Sequence, residues 1–264
     1  MKQLRISYKK MGIRREIIRQ VPGNWDELTV SQFLLVARLY TQELSETDFI
    51  TKFFSLPKVN FDAYYLYHLT ELLSFIGDCR FRMNRFLIPS VDKCYLAPAD
   101  KLRGITFEHF MHIDTAFNRY VRDPNNIDLD TLFALLYLKE GESLVLPAEG
   151  RKTLFSHRKL LNLPKRLQEV AKIDTHIKYA VFLNYLFIKR WLSQAFPYLF
   201  PMDDSEQEAD AKKQAKAPSV NWLDVFDAFV GEDVANMEKY QQMTALTAFR
   251  LLNKRIKEAQ KAKK

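Results

Sequence analysis

The residues whose types and spacing best suit chemistry lie in EHFMHID, where His109 and His112 stand three apart between Glu108 and Asp114. On a helix this spacing puts both imidazoles on one face, as a pair of metal ligands requires. A tetrahedral zinc needs further ligands, and nothing nearby announces them. The residues therefore read as two polar or half-buried histidines on an amphipathic helix. Asp203 with Asp204 and Glu232 with Asp233 offer the carboxylates magnesium uses. The first pair falls in a polar stretch that holds no geometry, and the second at a helix start, where the macrodipole itself favours carboxylates.

Cys79 and Cys94 form no CxxC pair and have no activating neighbours, so they suit neither a zinc framework nor a disulfide scaffold and fit a reducing compartment. The seven glycines are all isolated. Neither GxGxxG nor GxxxxGK can be written, which excludes the backbone cradles of Rossmann and Walker nucleotide sites. No GxSxG elbow or HExxH motif occurs. The expectation is a non-enzyme with no catalytic residue, no cofactor and no metal.

The net charge of +8 is unevenly placed. Residues 1–20 carry +6 and residues 254–264 carry +5, leaving −3 for everything between. Basic ends are first of all solubilising, and secondly suited to phosphate or an acidic partner. The longest uncharged run in the most apolar segment, Tyr179–Ile188, is bracketed by Lys178 and Lys189. A bilayer span needs roughly 20 apolar residues, so this run reads as a buried helix, with no membrane partner.

Helical periodicity dominates the elements that would position these groups. The fold class expected is mainly α, a multi-helix globule with a small N-terminal β-hairpin and room for a second short one. Leu4–Tyr8 and Ile13–Val21 make the first hairpin; Arg85–Pro89 and Lys93–Ala97 make the second. In VPGNWDELTVSQF, Thr29 and Gln32 form a capping box, Leu28 and Phe33 a hydrophobic staple, and Trp25 leaves a turn to lie on the new helix. Helices are expected over Val30–Tyr40, Glu46–Phe54, Phe61–Ile76, Phe107–Val121 and Leu129–Leu138. After a loop at Gly141–Gly150 come Phe155–Leu161, Lys165–Ala171 and Thr175–Ala195, the last capped by Asp174.

Residues 1–200 form the main helical domain and 201–218, almost without apolar residues, a flexible linker or loop. Residues 219–264 form a C-terminal helical unit with helices over Trp222–Val230, Asp233–Gln241 and Thr244–Gln260. So small a unit must dock on something. Trp222, Phe226 and Phe229 are its anchor face, first for the chain's own core and secondly for a partner groove. Arg250, Lys254, Arg255 and Lys257 give the last helix a basic face, which its dipole favours in any case.

Three stretches, VPGNWDELTVSQF, LAPADKLRGITFEHF and NWLDVFDAFVGEDVANMEKYQQMTALTAFRLLNKRIKE, resemble proteins encoded near the tail genes of tailed phages and prophages. The resemblance covers most of the chain and carries over no functional residue. It implies a non-enzymatic helical protein of particle or tail assembly, similar to the tail assembly chaperones that hold the tape-measure protein before polymerisation. Its partners would be other phage structural or assembly proteins, and its place the host cytoplasm or the virion. The alternative is a nucleic-acid-binding module using the basic termini.

Overall fold

The computed structural model describes residues 2–59, 61–78, 80–143, 159–160, 162–201 and 221–262. Strands β1 (Lys2–Lys10) and β2 (Ile13–Val21) pair antiparallel in the register Lys2↔Val21 to Lys10↔Ile13. The two-residue turn between them has Met11 at φ +53° and Gly12 at φ +79°, so both central positions are left-handed, as a type I′ turn demands. Glycine adopts this freely; a methionine does so at a cost of roughly 1–2 kcal/mol. The base of the hairpin is packed through Ile6 and Val21, while residues 9–16 are exposed on both faces.

Helix α1 (Val30–Tyr40) begins as its sequence dictates. The Thr29 hydroxyl accepts from the Gln32 amide and the Gln32 side chain accepts from the Thr29 amide. Leu28 and Phe33 are both buried, and Trp25 meets Phe33 edge-on at 6.1 Å. Helix α2 (Glu46–Phe53) follows, capped by Ser45, then α3 (Ala63–Glu71), capped by Asp62. The helix expected to reach Ile76 stops at Glu71, and Ser74–Gly77 tightens into a 3₁₀ turn that buries Ile76.

The second hairpin is shorter than expected and displaced along the chain. Strand β3 is Ser90–Val91 and β4 is Tyr95–Leu96, because Asp92 and Lys93 take left-handed conformations and put the turn there. A third strand, β5 (Leu138–Lys139), joins the far edge of β4. It is drawn from the end of the helix expected at Leu129–Leu138. That helix, α5, runs instead over Asn126–Leu136, because the Asn125 cap starts it three residues ahead of Leu129. Helix α4 (Phe107–Arg122) precedes it and packs along it.

Two further expectations are corrected. Glu142–Ser143, in the expected loop, is strand β6, and Lys159–Leu160, in the expected helix Phe155–Leu161, is strand β7; the two pair in parallel. Apart from Gly141, the remainder of both stretches, residues 202–218 of the expected linker, Asp203 with Asp204, and Cys79 lie outside the described residues.

Helix α6 (Leu163–Val170) leads to α7 (Thr175–Ala195), the longest described element. Asp174 holds the N-cap position of α7, but its carboxylate accepts no capping hydrogen bond. Helix α7 packs on α1 and on α5, which is why Ala180, Leu183, Tyr185, Phe187 and Ile188 are all buried. Helix α8 (Trp222–Val230) has the expected bounds, and α9 (Met237–Gln242) and α10 (Ala245–Ala262) complete the fold. A backbone pair joins the starts of α4 and α10: Phe107 N–H donates to Met243 O at 2.8 Å, and Ala245 N–H to Ile105 O at 2.9 Å. One continuous apolar cluster runs from Ile6 to Leu252.

Candidate functional site

Polar chemistry inside this apolar body gathers most densely at two places, with smaller buried sites at Asn184 and at the Lys178–Asp130 ion pair. At the first, Asp114 on α4 occupies an apolar-stripe position between Phe110, Ile113 and Phe117, and it is wholly buried. A bare carboxylate there would be prohibitively costly. Four donors satisfy it. Lys189 Nζ lies 2.6 Å and Tyr185 Oη 3.3 Å from Oδ1, while Trp222 Nε1 lies 2.7 Å and Asn118 Nδ2 3.1 Å from Oδ2. Burial and the neighbouring carboxylate push the Tyr185 phenol well above its usual range, so it stays a donor. The Lys189 ammonium also lies 5.0 Å from the Phe200 ring centroid. This network fastens α8 to α4 and α7.

The second place is a cleft of about 300 Å³ bounded by the β4–β5 edge, the Arg103–Gly104 turn and the start of α4. His109, Lys139 and Glu142 line it. The His109 Nε2 lies 2.8 Å from Leu135 O, so Nε2 carries the proton and donates. Burial pulls the His109 pKa down to about 4, and the ring is neutral at pH 7. Behind the cleft the Arg166 guanidinium is buried, donates to Tyr137 O at 3.2 Å and pairs with Glu142 and Glu169. Lys139 Nζ binds Glu169 at 2.8 Å, which holds that carboxyl below its usual range. Arg166 and Lys139 both lie over the Tyr95 ring, at 5.0 and 5.2 Å from its centroid. The charges of this cluster thus answer one another across β5, β6 and α6.

The histidine pair of the sequence divides between two environments. His109 faces the core and His112 is exposed, so the structure does not bring them together as ligands. Glu108 is partly exposed. Asp233 accepts from Asn236 and Tyr240, and Cys94 is an exposed free thiol. Among the described residues no group of three or more His, Cys, Asp or Glu side chains is arranged to hold a metal ion. No described helix is long and apolar enough to cross a membrane.

The candidate partner face also divides. Trp222, Phe226 and Phe229 lie in the chain's own core, ringed around Phe107 at 5.9, 6.2 and 5.8 Å. Of the basic residues on α10, Arg255 donates to Phe229 O at 2.7 Å and stacks on its ring, Lys257 lies over Tyr198, and Lys254 pairs loosely with Glu258. Arg250 is exposed.

Sequence reasoning missed Asp114, Lys189 and Arg166 as network centres. The available signal was a charged residue at a core position of a helical stripe, which Asp114 displays between Phe110 and Phe117. It also missed an exposed aromatic face on α3, where Tyr64, Tyr67, His68 and Leu72 share one side of the helix and its end. Tyr64 and Tyr67 are 73% and 61% exposed, and both rings pack on His68, at 4.3 and 6.0 Å. Compared with protein-family models, characterised proteins and solved structures, the chain matches none.

Proposed function

We propose that the chain is a non-enzymatic protein of tailed-phage or prophage particle assembly, acting through protein–protein contacts in the manner of a tail assembly chaperone. The observation that supports this reading is the α3 face. Tyrosine is the residue type, with tryptophan and arginine, that supplies most interface binding energy. Here two tyrosines stand exposed on one helix side, pre-packed on His68, whose Nδ1 lies 3.0 Å from Glu71 Oε2. A partner helix laid on them meets side chains already ordered, so little rotamer entropy is lost on binding. The client is a segment with an apolar stripe, of the kind an assembly chaperone shields until polymerisation. The ion pairs behind the cleft are used up holding β5 and β6 to α6, which favours an architectural role for that cluster.

The test is a nuclease-treated capture of the tagged full-length protein from cells carrying the gene in its genomic setting, with Y64A/Y67A in parallel. Enrichment of tail or capsid proteins that the double variant fails to retain is the expected result. Capture that the double variant preserves, or no structural protein at all, contradicts the reading. Both tyrosines are exposed, so the variant folds, and its melting temperature verifies that.

A further inference from the structure

The β1–β2 hairpin carries three features that each cost the free protein stability. Lys9 and Arg14 sit directly opposite one another in the ladder, a like-charge cross-strand pair. Met11 is held in a left-handed turn position where asparagine is the cheaper residue. It is also 93% exposed, beside the exposed Ile13. Among the described residues, Lys9, Lys10 and Arg15 around this tip have no acidic partner, and Arg14 has Glu16 at 3.9 Å. The two basic ends of the sequence therefore differ: on α10 several cations are engaged with the chain itself, whereas at the hairpin tip, among the described residues, Arg14 alone is paired, and loosely.

The alternation of a strand puts Lys9 and Arg14 on one face of the ribbon and Lys10 and Arg15 on the other. Cations on both faces and apolar side chains at the tip suit a ligand with two anionic walls and a less polar floor. We infer that this hairpin is a DNA-binding arm that enters the major groove of a duplex. That groove admits a two-stranded ribbon and is about 8.5 Å deep, a depth that about three residues of each strand would span. Lys9, Lys10, Arg14 and Arg15 reach the phosphates of the two walls. Met11 and Ile13 meet the base edges, where thymine methyls offer apolar contact. Phosphate relieves the Lys9–Arg14 repulsion, and the groove floor covers Met11. The inference is independent of the α3 face.

The test is fluorescence anisotropy of the full-length protein with a labelled 30-base-pair DNA duplex, between 50 and 200 mM salt. Four phosphate contacts give a log–log salt slope near −3.6, about a 150-fold loss of affinity over that range. K9Q/K10Q/R14Q/R15Q is expected to bind more than 100-fold more weakly at 50 mM salt, with unchanged circular dichroism. M11N is expected to weaken binding about 5-fold at the same slope, while its melting temperature holds or rises. A double-stranded RNA of the same sequence, whose major groove is too narrow for a ribbon, is expected to bind at least 10-fold more weakly. The inference is overturned if the quadruple variant binds DNA as the parent does, if RNA binds equally well, or if DNA does not bind at 50 mM salt. Binding to phosphatidylserine vesicles or polyglutamate in place of DNA overturns it in favour of a membrane or an acidic protein.

Discussion

Asp114 is the residue on which the most depends. Truncating it leaves the Lys189 ammonium and the Trp222 indole N–H without their acceptor inside the core. Removing one member of a buried ion pair costs about 3–5 kcal/mol, and D114A is expected to lose that much in guanidinium unfolding. W222F keeps the ring contacts with Phe107 and Phe110 but drops one hydrogen bond to a charged group, an expected loss of about 1–3 kcal/mol. A loss below 1 kcal/mol for D114A would show that the network does not bear the load assigned to it. His109 makes a second residue-scale prediction. Its folded pKa of about 4 lies below the ordinary histidine value of 6.5, so the unfolded chain takes up the proton first as pH falls. The stability this neutral ring supplies is fully present above pH 6.5 and is lost between pH 6.5 and 4, by about 3 kcal/mol. H109Q keeps a donor for Leu135 O and is expected to flatten that part of the stability profile, measured by urea unfolding at each pH.

At the scale of elements, the capping box at α1 is directly testable. T29A removes the acceptor for the Gln32 amide and is expected to cost about 1 kcal/mol, a fall of about 2–4 °C in melting temperature. This box was legible in the sequence because all its parts lie within four residues, and the same holds for α8, bounded by Asn221 and Gly231. The second hairpin was legible only as a pair of strands. Its position turned on Asp92 and Lys93 adopting left-handed conformations, and neither is a residue type that announces this as glycine does. Strand β5 was missed because its partner β4 lies more than forty residues away, so no local period marks it. The candidate sites were harder still. Asp114 is visible as an anomaly in its stripe, but Lys189 and Trp222 stand 75 and 108 residues away, a separation that one sequence does not bridge. The α3 face was hidden for the opposite reason: tyrosines at helical spacing read as core, and only the fold shows which side they take.

At the scale of the whole molecule, α4 is covered on one side by α5 and contacts α9 and α10. The rings of Trp222, Phe226, Phe229 and Phe249 all meet Phe107. Residues 221–262 are therefore expected to melt with the main body in one calorimetric transition. Two separate transitions would show an independent unit. Co-expressed fragments 1–201 and 221–264 are expected to co-purify as a complex, whereas fragment 1–201 alone is expected to bind a hydrophobic dye through its uncovered Phe107 and Phe110.

The Asp114–Trp222 bond also sets a schedule. Chains grow at roughly 5–20 residues per second, so the 108 residues between these partners take about 5–20 s to synthesise. Over the last part of that interval, once Lys189 has been made and 33 residues remain before Trp222, α4 and α7 can already meet, with Lys189 and Tyr185 turned toward the carboxylate, but the indole that joins them does not yet exist. A nascent chain thus waits half-shut, its phenylalanines open to whatever arrives first, and the last-made helices act as the stopper.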